Sequence, residues 1–307
     1  MKYLSFKWSQ IFFLFFLFYN SNALSERIKL ASSEKNVSNY FSGIVSINQN
    51  NTSKALDFFN KIQPPKYNHA KYNVLYLRTL VSLNKFSEAI NYANKLEQSK
   101  NNFTESNILL GLDAFKDKNY KLAQKYFSRL DSNLGESFVF EGFLDNFLIS
   151  WVYAIQNDKE ESLKFVNQIP NHFNSMKKIH LVFLNCHFDS STTLKNFYDL
   201  TGDPDTNFAR YNFFLANYLL HNNNYQEAET VINEASRDFS SNILLKQSKA
   251  FIDKKKYKNI KKFYNCKNPI HSIAEFFYIV ANLFSVDQNY NMSNFYLKIS
   301  LFLNDNF

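Results

Sequence analysis

Two cysteines, Cys186 and Cys266, are the whole thiol inventory of this chain. An oxidising compartment would allow them to pair, but a disulfide needs Cα atoms within about 7 Å. They stand 80 residues apart, and in a chain assembled from short successive units that spacing puts them several units from each other. The expectation is two independent, mostly buried thiols. His180, Cys186 and His187 are close in sequence, and a seven-residue step puts both histidines on one helix face. Zinc needs three or four converging ligands, and no acidic partner is evident, so these read as structural or surface histidines. His69, His172, His221 and His271 stand singly. The paired acids Glu160-Glu161 fall in a polar turn, where solvated charge is the default. The P-loop, Rossmann, G-x-S-x-G, H-E-x-x-H and EF-hand patterns are missing, and five glycines leave little room for a phosphate-cradling loop. No catalytic residue, metal or cofactor is therefore expected. The densest charge feature is Lys254, Lys255, Lys256, Lys258, Lys261, Lys262 and Lys267, interleaved with Tyr257, Phe263 and Tyr264. Such interleaving occurs where proteins hold polyanions. It reads either as a patch for phosphate, lipid headgroups or an acidic polymer, or as a solvated helix face with its aromatics buried. A nucleic-acid partner is not expected.

The elements that position these residues are helices. Of 307 residues, 45% are apolar and 18% aromatic, with only five glycines and five prolines. Apolar spacings of three and four dominate over alternation, which argues for an all-α chain. The net charge of +8 permits attraction to anionic surfaces without requiring it.

Residues 1–23 read as a secretory signal peptide: Lys2 and Lys7 at the start, the unbroken apolar run Ile11–Tyr19, and Ser21-Asn22-Ala23 at the cleavage site. The run is shorter than the ~20 residues of a membrane span. Cleavage after Ala23 and export, to a periplasm in a Gram-negative source, are expected; the alternative is an inner-membrane anchor formed by residues 3–19. Residues 24–35 read as a polar linker.

Beyond the linker the chain repeats. Ala55, Ala89 and Ala123 sit in matching contexts at successive intervals of 34 residues. Gly43 and Phe59 accompany the first anchor, and Leu110, Gly111 and Phe127 the third; the middle unit has Leu77 in the glycine's place. Eroded units follow, anchored near Ser162, Thr193, Ala228, Ile260 and Ser293. An aromatic three residues before the anchor recurs as Phe86, Tyr120, Tyr225, Tyr257 and Tyr290. Pro64, Pro65, Pro170, Pro204 and Pro269 fall at unit ends or between units, as helices demand.

A period of ~34 residues with small residues facing each other resembles the tetratricopeptide repeat. The resemblance implies a right-handed α-solenoid of about eight helix–turn–helix units over 36–307. Three units are strong, 36–69, 70–103 and 104–137, and degenerate ones fill 143–307. It implies a non-enzymatic scaffold of the cell envelope, binding a peptide or partner helix in a concave groove. Carried onto this sequence, the groove positions are Tyr40, Ile44, Val74, Arg78, Ile108, Leu112, Phe147, Trp151, Phe213, Asn217, Tyr278 and Asn282. Arg78, Trp151, Phe147 and Tyr40 are the expected anchors. Asn217 matches an asparagine that some members use to grip a carboxylate, but Phe213 stands where its lysine companion would be. The apolar last helix, from Ser293 onward, is expected to dock on a further repeat, a partner or a second copy.

Overall fold

The computed structural model describes residues 34–63, 69–130, 142–204 and 208–306. The expected signal peptide, most of the linker, and Pro64 and Pro65 lie outside the described residues. Among the described residues there are sixteen α-helices, one 3-10 turn and no strand. The chain is all-α. In chain order the helices are α1 (34–48), α2 (Thr52–Asn60), α3 (Ala70–Ser82), α4 (Phe86–Gln98), α5 (Thr104–Lys116), α6 (Tyr120–Phe127), α7 (Leu144–Ile155) and α8 (Lys159–Gln168). They continue as α9 (Asn174–His187), α10 (Thr193–Gly202), α11 (Ala209–His221), α12 (Tyr225–Asp238), α13 (Ile243–Asp253), α14 (Tyr257–Lys261), α15 (Pro269–Val286) and α16 (Tyr290–Leu303). They form two compact units. One comprises residues up to Lys85 with Gln98–Asn101; the other comprises Phe86–Glu97 and Asn102–Phe307.

Every odd-numbered helix ends in the same way. The second residue beyond it adopts a left-handed conformation: Asn50, Asn84, Lys118, Asn157, Asp189, Asn223, Lys255 and Gln288, with φ between 53° and 62°. The N–H of the next residue reaches back to a carbonyl in the last turn, as from Asn51 to Ser46 (2.8 Å), Asn119 to Ala114 (2.8 Å) and Asn224 to Leu219 (2.9 Å). This double closure satisfies carbonyls that the helix end leaves unpaired. None of the eight residues is glycine. Asparagine, which tolerates this conformation best after glycine, fills four of them. The following residue often caps the next helix: the side chains of Asn51, Asn119, Asp158 and Asn289 each accept an N–H from the first turn, at 3.1 to 3.3 Å.

The small residues do what their spacing demands. A Cβ on Gly43 would overlap the ring of Phe59, and a Cβ on Gly111 that of Phe127. Ser150, Ala216, Ser248 and Ala281 occupy the same place twelve residues before Ser162, Ala228, Ile260 and Ser293, and all four are buried. The fifth pair departs from the register. Its connection is longer, so Thr193 opens α10 instead of sitting one turn inside it.

In the second unit α15 is the centre of the core. It is 18 residues long, apolar enough to cross a membrane, and 56% of it is buried inside the protein. Pro269 occupies its first position, where no N–H is needed. Phe276 stacks on Phe147 of α7 at 3.9 Å and lies 5.3 Å from Phe143. Glu275, fully buried, takes both oxygens to Arg210 of α11 at 2.6 to 2.8 Å. Burial pushes the Glu275 carboxyl above its usual range, and Arg210 draws it back only in part. The last helix is not left bare. Tyr296 stacks on Phe277 and Phe284. Phe302 stacks on Phe86 at 4.1 Å, with the Lys116 ammonium 3.9 Å from its ring centre. Met292, Phe295, Tyr296, Ile299, Ser300 and Leu303 of α16 are buried, while Leu301 and Phe302 are half-buried.

Candidate functional site

Most of the expected groove positions in the second unit are buried. Phe147, Trp151 and Asn217 are 4%, 0% and 1% exposed. Phe147 lies under Phe276, Trp151 packs edge-on against His180 and His187, and the Asn217 amide donates to Ile260 O at 2.8 Å. Ile108, Leu112 and Phe213 are buried as well. Phe276 of α15 covers Phe147, His180 and His187 of α9 cover Trp151, and Ile260 and Phe263 lie against Asn217 and Phe213 of α11. Tyr278 is half-buried beneath the Arg210 guanidinium, 3.9 Å away. Asn282 is exposed, and its amide is turned back to Tyr278 O at 2.8 Å. Tyr40 and Arg78, both half-buried, belong to the first unit.

Tyr40 lies on a real depression. A cleft of about 320 Å³ in the first unit is lined by Val37, Tyr40, Phe41, Ile62, His69 and Tyr72, with Asn36 and Gln63 at its edge. His69 is fixed there as the cap of α3, its Nδ1 accepting from Tyr72 N at 3.0 Å, with its ring 5.0 Å from that of Tyr40. Along α1, Val37, Phe41 and Val45 recur every fourth residue and are each more than half exposed. An apolar stripe on one helix face beside a mainly apolar cleft is the kind of surface that receives another apolar face.

The second constellation is polar, and the sequence concealed it. Cys186 and Cys266 are joined in a disulfide with Cα atoms 5.8 Å apart. This overturns the expectation of separate thiols. The cause is α14, only five residues long. Its brevity leaves residues 262–268 as a strap that runs back to α9 instead of continuing a helix. Asn268 N closes a turn on Asn265 O at 2.9 Å within the strap, and side chains from elsewhere meet other carbonyls along it and at the end of α14. Asn217 reaches Ile260 O, His221 lies 3.1 and 3.2 Å from Tyr264 O and Lys261 O, and Asn304 reaches Phe263 O at 2.9 Å. His187 faces Cys266 O at 3.2 Å, while Lys267 donates to His187 O at 2.8 Å and pairs with Asp189 at 2.5 Å. The strap enters α15 through Tyr264 with Ser272 and through Asn265 N donating to His271 Nδ1. A cleft of about 240 Å³ opens beside it, with both cysteines in its wall.

The basic segment divides. Lys255 pairs with Glu229 at 2.6 Å, and Tyr257 bonds the same carboxylate. Lys261 lies over the ring of Tyr225, and Lys262 is near Phe263. Lys254, Lys256, Lys258 and Lys262 point into solvent. Between residues 254 and 274 there is no acidic residue.

One buried pair has the composition of a hydrolase dyad: Ser150 Oγ lies 2.7 Å from His180 Nε2. The hydroxyl also bonds Phe147 O at 2.7 Å, one turn back on its own helix. Both side chains are essentially sealed from solvent, and burial lowers the His180 pKa to about 3, keeping it neutral. The pair is a core hydrogen bond. No family model matches this chain, and no curated protein is significantly similar to it in sequence.

Proposed function

We propose that this is an exported helical-repeat protein of tetratricopeptide type, a right-handed α-solenoid whose work is to bind a protein partner, without catalysis. The observation that carries the reading is the exposed Val37, Phe41 and Val45 stripe beside the Tyr40 cleft. It offers a partner helix or extended peptide an apolar seat lined also by His69 and two tyrosines, Tyr40 and Tyr72. The eight similar helix ends support the repeat assignment, with the 34-residue spacing of the first three. The Cys186–Cys266 bond fits an oxidising compartment and so supports export. The test is crosslinking capture from the native envelope fraction with wild type, Phe41→Glu and Val45→Glu. One defined protein should be captured by the wild type and lost from both variants while their helical circular dichroism stays intact. Equal capture by all three would exclude the α1 face.

A second reading has its own observation: four solvent-facing lysines in a segment without acidic residues. It makes the turn between α13 and α14 a contact for an anionic polymer or membrane surface. Binding to acidic vesicles that weakens with salt and is lost in Lys254→Glu/Lys256→Glu/Lys258→Glu would favour it; salt-independent binding would count against it.

A further inference from the structure

We propose that Cys186–Cys266 is a site of thiol–disulfide exchange with an external dithiol, and that opening it loosens the strap that seats α15. Cys186, in the last turn of α9, is 3% exposed, whereas Cys266 is half-buried. Both border the 240 Å³ cleft, whose other walls include Tyr218, His221, Asn222 and Lys267. A thiol entering the cleft meets Cys266 as the more accessible partner. Its thiolate attacks Cys266 Sγ, the S–S bond breaks, and Cys186 departs as a thiolate that takes a proton from solvent. The second thiol of the reagent then attacks the mixed disulfide, releasing Cys266 as a thiol and leaving the reagent oxidised. Two electrons pass from dithiol to disulfide, and every sulfur is accounted for. The chain has no third cysteine to intercept the intermediate.

What the bond restrains can be read from its neighbours. Lys267 with His187 and Asp189, and His187 with Cys266 O, tie the same two segments that the disulfide joins. Without the covalent member, the strap is held to α9 by these exposed or half-exposed contacts and by the packing of Tyr264 against Phe183, 5.3 Å between ring centres. The strap continues directly into the first turn of α15 through Asn268, His271 and Ser272. A change in the strap is therefore felt at the helix on which the second unit is packed.

The experiment uses the purified full-length mature chain and dithiothreitol as the dithiol. Thiols are alkylated before and after graded reduction in native buffer, and backbone hydrogen exchange is measured on both forms. The expected result is no alkylation before reduction and two alkylated cysteines after it. Helical circular dichroism should be retained, and exchange over 262–273 should quicken at least tenfold while 70–82 is unchanged. The order of attack is tested with glutathione disulfide on the single variants. Cys266 in Cys186→Ser should be modified at least tenfold faster than Cys186 in Cys266→Ser. The proposal is overturned by free thiols in native material, by a bond that yields only when the chain unfolds, by unchanged exchange over 262–273, or by equal modification rates.

Discussion

Gly111 is small because Phe127 occupies the space where its side chain would stand. Phe127 is fully buried, so the ring has no room to yield. Gly111→Ala should therefore cost about 1–3 kcal/mol through overpacking, even though alanine is the better helix former by roughly 1 kcal/mol. Urea unfolding measures it, and Gly111→Ala/Phe127→Leu should recover part of the loss. A neutral Gly111→Ala would mean that close approach is not what the glycine serves. His180 makes the second argument at this scale. Burial holds its folded-state pKa at about 3, below the 6.5 of an exposed ring. Between those values the unfolded chain binds a proton that the folded chain refuses. This group therefore removes stability as pH falls from about 6.5 towards 3, with a slope of ~1.4 kcal/mol per pH unit inside the window. Burial lowers His271 too, which adds in the same direction. His180→Gln, which keeps a hydrogen-bond partner for Ser150, should flatten the acid limb by about one proton in urea midpoints measured from pH 4 to 7. An unchanged limb would place the acid sensitivity elsewhere.

At the scale of elements, the turn after each odd-numbered helix is the best place to test the architecture. Lys118 is exposed and left-handed, with φ 61°. An L-residue with a Cβ pays roughly 1 kcal/mol there, which glycine avoids. Lys118→Gly should raise stability by about 0.5–1 kcal/mol, read as a higher urea midpoint with unchanged slope. The same change at Ala123, one turn into α6, should lower it. These turns also show what was legible. Lys118-Asn119-Tyr120, Asn223-Asn224-Tyr225 and Gln288-Asn289-Tyr290 each spell a left-handed residue, a cap and the first residue of a helix. Local physics of this kind is written in neighbouring residues, so helices and periods could be read directly. At Thr193 the helix start departs from the expected register, because the connection lengthens. What could not be read was long-range. Nothing near Arg210 indicates Glu275, 65 residues away, although together they form the buried ion pair that fixes α15 against α11. The candidate site suffered accordingly. The neighbours of Tyr40 in its cleft are mostly local, whereas Phe147, Trp151 and Asn217 are buried by Phe276, by His180 and His187, and by Ile260, none of them signalled nearby in the sequence.

At the scale of the molecule, the disulfide is the clearest handle on stability, whatever agent opens it. It closes a loop spanning 80 residues, from the end of α9 to the threshold of α15. In the chain-entropy description, freeing such a loop lets the unfolded state gain roughly 4–5 kcal/mol of conformational freedom. The folded state keeps Arg210 with Glu275, the stacked Phe147 and Phe276, and the strap's capping side chains. The native structure therefore has other means of remaining assembled once the bond is gone, and the larger effect falls on the unfolded chain. Each kcal/mol shifts the midpoint of a domain this size by about 2–4 °C. The reduced chain should accordingly melt on the order of 10 °C below the oxidised chain, with native helicity before the transition. Cys186→Ala/Cys266→Ala should behave like the reduced wild type and show no further response to reductant. Calorimetry of the four samples decides the matter. A reduced chain that melts with the oxidised one would mean that the loop is already constrained in the unfolded state. A reduced chain already unfolded at 25 °C would mean that the packing of α15 cannot hold the second unit without the bond.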